Sequence, residues 1–229
     1  AFAMALTPDD AVDITDQLFR GLLDYTIPVV SLVKGEAITK AYAEWEFEDL
    51  WRPFFCMSTN LTRSASVIHQ RGEMVPVIRA SVSIPGVMPP VPWGEDLLVD
   101  GGVLNNLPVD VMRTEVEDGA VIAVNVAPPV GPRAKGDMAL SVSGWEALRG
   151  RAGKGRAKYP GVTAMLMRTM IAGSVREQNR HIDSGIIDLY LDLDLRGISL
   201  LDFENVRPVA AAGYEAAMPK LEAWLASQP

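Results

Sequence analysis

This sequence is short of the residues that most often bind metals or close disulfides. Its 229 residues include one cysteine, Cys56, and two histidines, His69 and His181. A single cysteine cannot form an internal disulfide, and with two scattered histidines it gives no zinc-ligand spacing, so neither a metal nor a cofactor is expected. Such sparse cysteine use fits a reducing, cytoplasmic setting. Basic residues are also outnumbered, 21 Lys and Arg against 29 Asp and Glu, for a net charge of −8. That balance argues against nucleic acid as a partner, because phosphate binding needs clustered cations. It argues equally against docking on an anionic membrane by charge alone, which leaves apolar side chains as the means of peripheral membrane contact. No apolar run approaches the roughly 18 residues of a membrane-spanning helix.

What is present is the composition of a folded domain. Hydrophobic residues make up 48% and charged residues 22% of the chain, enough for one continuous core over residues 1–229. The sequence starts without Met, inside the apolar stretch Ala1-Phe2-Ala3-Met4-Ala5-Leu6. It reads as the tail of a helix in a domain truncated at its N-terminus.

Local patterns predict alternating helices and strands. Thr7-Pro8-Asp9-Asp10 has the capping and charge signature of a helix start, and Leu18, Leu22 and Leu23 continue it over residues 8–24. The run 54–59 predicts a buried strand, Val67 and His69 a second, and residues 75–83 a helix. Pro85-Gly86 and Pro89-Pro90 predict a loop. Leu97-Leu98-Val99, a helix from Pro108 to Glu117 and the aliphatic run 121–126 together predict a β-α-β unit, its last strand covered on both faces. Residues 127–161, rich in Gly, Pro and Arg, predict a long loop or lid. A helix from Met165 to His181, a strand over 186–193 and a closing helix over 204–226 follow. The expected fold class is α/β, a layered domain with a mainly parallel central sheet flanked by helices.

The densest chemical signal is Val99-Asp100-Gly101-Gly102-Val103-Leu104-Asn105-Asn106-Leu107-Pro108. A carboxylate at the end of a buried strand stands where α/β sheets place their ligands. Two glycines after it let the backbone turn sharply and approach another group closely. Asp-Gly alone is a common turn dipeptide, so the weight lies in the longer string. Asn105 and Asn106 suit either support of the Asp100 loop or initiation of the helix at Pro108, with capping the readier role.

The other polar residues carry less. Ser81 and Ser83 fit packing or backbone bonding, His69 and His181 structural or surface roles, and Cys56 an inert place in a strand. Five basic residues between Arg149 and Lys158 suit a solvated loop better than a headgroup site, and Met165, Met167 and Met170 suit core packing better than an acyl channel.

Taken together, the strings resemble the patatin-like phospholipases, in the branch that includes neuropathy target esterase and its bacterial relatives. Leu97 to Gly102 with Asn105-Asn106-Leu107-Pro108 is similar to that family's Asp-Gly-Gly motif. Arg79-Ala80-Ser81-Val82-Ser83-Ile84-Pro85-Gly86 is similar to the segment before it. Glu48 to Phe55 and Ser58-Thr59-Asn60-Leu61-Thr62 are similar to an earlier helix-to-strand passage. The resemblance runs from about Ala1 to Val126, more loosely through the closing helix, and residues 127–200 add little.

It implies a patatin-like fold and a Ser-Asp dyad that hydrolyses acyl esters of lipids such as phospholipids or lysophospholipids. Asp100 would be the catalytic base, with Gly101, Gly102, Asn105 and Asn106 supporting it, and no cofactor would be needed. The nucleophile of such a dyad sits on a Gly-x-Ser-x-Gly elbow, which these residues lack; Gly173-Ser174 and Ser184-Gly185 are half-matches only. The nucleophile is therefore expected upstream of Ala1, and the chain alone is expected to be inactive. An upstream segment or partner chain would complete the sheet. The alternative is a non-catalytic lipid- or protein-binding remnant of the same fold.

Overall fold

The computed structural model describes Thr7, Asp9, Asp13 and residues 45–86, 88–116, 118–126, 162–193 and 206–228. The helix expected over 8–24, apart from Asp9 and Asp13, and the loop expected over 127–161 lie outside the described residues.

A 3-10 turn, Phe47–Asp49, precedes the first hairpin, β1 (Cys56–Asn60) and β2 (Ala65–His69), which pair antiparallel from Cys56↔His69 to Asn60↔Ala65. Asn60 closes the turn by accepting from the Arg63 N–H at 3.0 Å, and Ser64 takes a positive φ of 52°. Helix α1 (Met74–Ser81) buries Met74, Val77 and Ala80 at three-residue spacing, one face of the helix. Its Pro76 lies in the first turn, where no intrahelical N–H bond is forfeited. Val82 ends the helix, and the Ser83 hydroxyl donates back to the Arg79 carbonyl at 2.6 Å.

A second hairpin follows, β3 (Val91–Trp93) and β4 (Asp96–Asp100), joined by a two-residue turn in which Gly94 has φ 60°. Glycine supplies that left-handed conformation without a Cβ clash. Strand β4 also pairs antiparallel with β1, Ser58 opposite Asp100, so the four-stranded sheet has the order β2-β1-β4-β3. Ala80 of α1 packs with Val91, Leu98 and Val67 on one face of this sheet. Strand β3 directly follows the loop expected at Pro85-Gly86 and Pro89-Pro90, in residues for which the sequence predicts no element. It is an edge strand, where Pro92 is tolerated because no inner neighbour needs its missing N–H.

Beyond Asp100 come a 3-10 turn (Gly101–Val103) and helix α2 (Val109–Glu115). Then follow β5 (Ile122–Asn125), α3 (Val162–Asp183), β6 (Leu189–Asp192) and α4 (Val206–Ala226). Strands β5 and β6 pair in parallel, Ile122 opposite Leu189 through Asn125 opposite Asp192. Leu107, Val109, Val121 and Ala123 form the core beneath them, with Ile186, Ile187 and Tyr190 packed alongside. Arg113 of α2 fastens the approach to β6. Its guanidinium donates to the Ile186 and Gly119 carbonyls and to Asp188 Oδ2, at 2.7, 2.9 and 2.5 Å. The same Asp188 oxygen accepts the Val121 N–H at 2.7 Å.

The mixed α/β character stands, whereas the mainly parallel central sheet does not describe these residues: the larger sheet is antiparallel and only β5 and β6 run parallel. The cause is connection length. Loops of four and two residues join β1 to β2 and β3 to β4, too short for the crossover a parallel pair requires. The expected β-α-β unit over 97–126 is present in order, but its strands belong to different sheets. Nor is the aliphatic run 121–126 covered on both faces. Val121, Ala123 and Asn125 are buried, while Ile122, Val124 and Val126 are 44%, 45% and 57% exposed. On the closing helix, Tyr214 and Leu225 are exposed, and Met218 and Leu221 are half-buried.

Candidate active site

Asp100 is the last residue of β4, held from both sides in sequence. Its backbone N–H donates to the Ser83 carbonyl just after α1, at 3.0 Å. Its Oδ1 accepts the Gly102 N–H at 2.7 Å, which caps the 3-10 turn. Gly101 lies against β1 so closely that a Cβ there would stand 2.6 Å from the Met57 carbonyl oxygen. A Cβ on Gly102 would meet Asn106 Oδ1 at 2.9 Å and Asp100 Oδ1 at 3.0 Å. The two glycines thus serve close approach, the first to a backbone and the second to two polar side chains. Neither has a positive φ.

The result is a cavity of about 370 Å³ into which Asp100, Asn105 and Asn106 face together. Much of its wall is apolar, from Phe54, Phe55, Met57, Pro108 and Met112. Burial pushes the Asp100 carboxyl above the usual carboxylate range, and the Gly102 N–H only partly opposes it. Desolvation penalises the charged form, so the group holds a proton more tightly than an exposed aspartate. Chemically, this is a carboxylate able to take a proton from a hydroxyl, set in a pocket wide enough for an organic ligand.

The Asn pair is arranged as a brace. Asn105 Nδ2 donates to Asp110 Oδ1 in the first turn of α2 at 2.9 Å, and its backbone N–H donates to the Gly101 carbonyl at 3.0 Å. The Asn106 N–H donates to Ser174 Oγ on α3, again at 2.9 Å. Neither Asn caps α2, whose N-cap position is Pro108.

Other polar residues occupy distinct places. Cys56 lines the cavity, its thiol pushed up to about 12 by burial despite a hydrogen bond from Ser81, so it stays protonated at neutral pH. Ser58 lies opposite Asp100 on the neighbouring strand but is fully buried, its Oγ 2.7 Å from His69 Nε2. That excludes substrate from Ser58. His69, also buried, stacks edge-on with Trp93, and desolvation lowers its pKa; it is a core histidine. His181 Nδ1 stands 3.9 Å from Asp110 and Nε2 3.5 Å from Glu177. Neither histidine lines the cavity.

Sequence reasoning missed two features of the wall and one of the loop behind it. Phe54 and Phe55 were placed in a strand, which begins only at Cys56. Pro53, directly before them, marks only that a ladder cannot include its own missing N–H, and nothing local places the strand start two residues further on. Met112 was read only as part of a helix. Ser174 had no local signal at all, because its partner lies 68 residues away.

Residues 18–113 match the family described as patatin-like phospholipase. An uncharacterized NTE family protein of Mycobacterium tuberculosis is 41% identical over 133 residues, 55% of this chain and 23% of that protein. A lysophospholipase of Mycosarcoma maydis is 33% identical over 217 residues, 90% of this chain and 11% of that protein. Patatin-like phospholipase domain-containing protein 7 of Mus musculus is 30% identical over 221 residues, 92% of this chain and 16% of that protein. The chain therefore spans less than a quarter of the length of these relatives.

Proposed function

We propose a lipid-ester hydrolase role for this chain, which belongs to the patatin-like phospholipase family. Asp100 is the general base of a Ser-Asp dyad acting on acyl esters such as phospholipids or lysophospholipids. The observation that carries this reading is the half-buried Asp100 carboxyl, its proton affinity raised by burial, at the wall of a largely apolar cavity. A carboxylate in water is a poor base for a hydroxyl; one that gains by becoming neutral is better matched.

The nucleophile is a serine outside these 229 residues. No Gly-x-Ser-x-Gly occurs among them, and the relatives extend well beyond the aligned stretch. As that hydroxyl attacks the ester carbonyl, its proton passes to Asp100. When the tetrahedral intermediate collapses, the proton goes to the departing alkoxide and the acyl group stays on serine. Water then attacks the acyl-enzyme, giving a proton to Asp100 that returns to the serine as the fatty acid leaves.

Phe54, Phe55, Met57 and Met112 suit contact with an acyl chain. Phe54 and Met112 are also partly exposed, 40% and 38%, which suits peripheral contact with a lipid surface. No helix among the described residues is long and apolar enough to cross a membrane. The exposed face of β5, with Ile122 and Val124 and with Val126 just past its end, suits cover by a further segment or chain, since apolar strand surface left open invites association.

The test is hydrolysis of a lysophospholipid by the full-length protein and by its Asp100→Asn variant, with intact-mass detection of fluorophosphonate labelling. Loss of turnover in a folded Asn variant, with one label on the wild type, supports the dyad. Undiminished turnover in Asp100→Asn refutes it. Absence of both label and turnover in the wild type favours a non-catalytic lipid- or protein-binding role.

A further inference from the structure

The loop that carries Asp100 is not held by its own sheet alone. Between the 3-10 turn and α2 the backbone is irregular, and the Asn106 N–H finds its acceptor in the side chain of Ser174 on α3, at 2.9 Å. Ser174 is 1% exposed and takes no part in the cavity wall, whereas Asn105 and Asn106 do. A backbone N–H withdrawn from water needs such a partner, and losing it costs more than the bond itself is worth.

This tether bears on the carboxylate through a short path. Asn106 Oδ1 and Asp100 Oδ1 flank the same point above Gly102, 2.9 and 3.0 Å from where a Cβ would sit. The Gly102 N–H in turn donates to Asp100 Oδ1. A shift of Asn106 away from α3 therefore changes the packing around Gly102 and the direction of the hydrogen bond that aims the carboxylate. The same helix meets the loop a second time, because Asp110, which holds Asn105, also faces His181 two turns beyond Ser174. On its N-terminal side Ser174 follows Gly173, beside which there is open space.

We propose that Ser174 is a positioning residue for the hydrolytic site, holding the Asn105-Asn106 loop so that the Asp100 carboxylate keeps its aim. The role rests on the dyad proposed above. Ser174 touches no substrate, so its loss acts on the chemical step rather than on binding.

The test is steady-state kinetics of the full-length protein on a soluble short-chain ester, comparing wild type, Ser174→Ala, Ser174→Thr and Asp100→Asn, with circular dichroism to score folding. Ser174→Ala is expected to lower kcat on the order of 10-fold or more, as small misplacements of catalytic groups do, with KM within about twofold of wild type. Ser174→Thr, which restores the acceptor oxygen, is expected to recover most of that loss. If the alanine variant does not fold, Ser174→Cys carries the comparison, since it keeps the volume and weakens the acceptor. Wild-type kcat in a folded Ala or Cys variant, or a loss confined to KM, overturns the role while leaving the dyad intact if Asp100→Asn is inactive. Full turnover in Asp100→Asn overturns both.

Discussion

Replacing Gly101 with alanine tests the geometry of the site at its tightest point. A Cβ there would stand 2.6 Å from the Met57 carbonyl oxygen and 2.7 Å from both its carbonyl carbon and its Cβ. Ordinary contact begins at 3.4 Å, so strand β1 or the Asp100 turn must yield by about 0.8 Å, and two of the three obstructing atoms are backbone that no rotamer change can move. Overpacking of this kind costs about 1–3 kcal/mol. It also displaces Asp100, the preceding residue, and a shift approaching 1 Å is worth up to roughly 100-fold in rate. Urea denaturation gives the first quantity, and kcat of the full-length protein on a lysophospholipid the second. Two further glycines calibrate the result. At Gly102 the obstructing atoms are the side chains of Asn106 and Asp100, which can rotate, so Gly102→Ala should cost less stability while disturbing activity at least as much. At Gly173 in α3 nothing lies within 4 Å, so Gly173→Ala should stabilise by about 0.5–1 kcal/mol. A Gly101→Ala variant with wild-type midpoint and turnover would refute the reasoning.

Three other outcomes follow from the packing and the titrating groups. Leu98→Ala removes a fully buried side chain from the cluster with Ala80 and Val91 and should cost about 2.7–5 kcal/mol by chemical denaturation. Because burial raises the Asp100 pKa above its ordinary 3.8, the folded state binds the proton more tightly than the unfolded one. Wild type should therefore lose stability relative to Asp100→Asn as pH rises from 3.8 through the folded-state value, and hold a constant deficit above it; denaturation at stepped pH measures this. For Asp188 the sign reverses: the Val121 N–H and then Arg113 lower its pKa below 3.8, so its contribution is present above that pH and fades as acid takes the pH down through the folded-state value. Asp188→Asn should abolish that component of the acid dependence, and an unchanged profile would count against the α2–β6 clasp.

Local pattern was enough to locate most of what is described. The helices over 75–83, 108–117, 165–181 and 204–226 each have a counterpart within a few residues of the expected bounds, α3 beginning at Val162 and α2 ending at Glu115. Helical periodicity and capping are properties of neighbouring residues, and they survive folding. Strand pairing is not such a property. Val67 and His69 were legible as a strand, but that β2 lies against β1, β1 against β4, and β4 apart from β5 depends on contacts across the chain. The short, proline-containing β3 had no strand signature of its own, and only the presence of Leu97 and Leu98 beside it makes it one.

The candidate site divides along the same line. The sequence by itself determined that a carboxylate ends a strand and meets two glycines, because Asp100, Gly101 and Gly102 are adjacent and their conformational demands are local. It also determined the acidic balance and the apolar character of the residues now in the wall. Only the tertiary structure decided which neighbours those residues acquired: the Met57 backbone beneath Gly101, the Ser83 carbonyl on the Asp100 N–H, the aromatic wall from Phe54 and Phe55, and the Ser174 hydroxyl on Asn106. The raised proton affinity of Asp100 belongs to this second group. It arises from exclusion of water by segments as far apart as Pro53 and Met112, and desolvation is set by everything that closes around a group rather than by what precedes it in the chain.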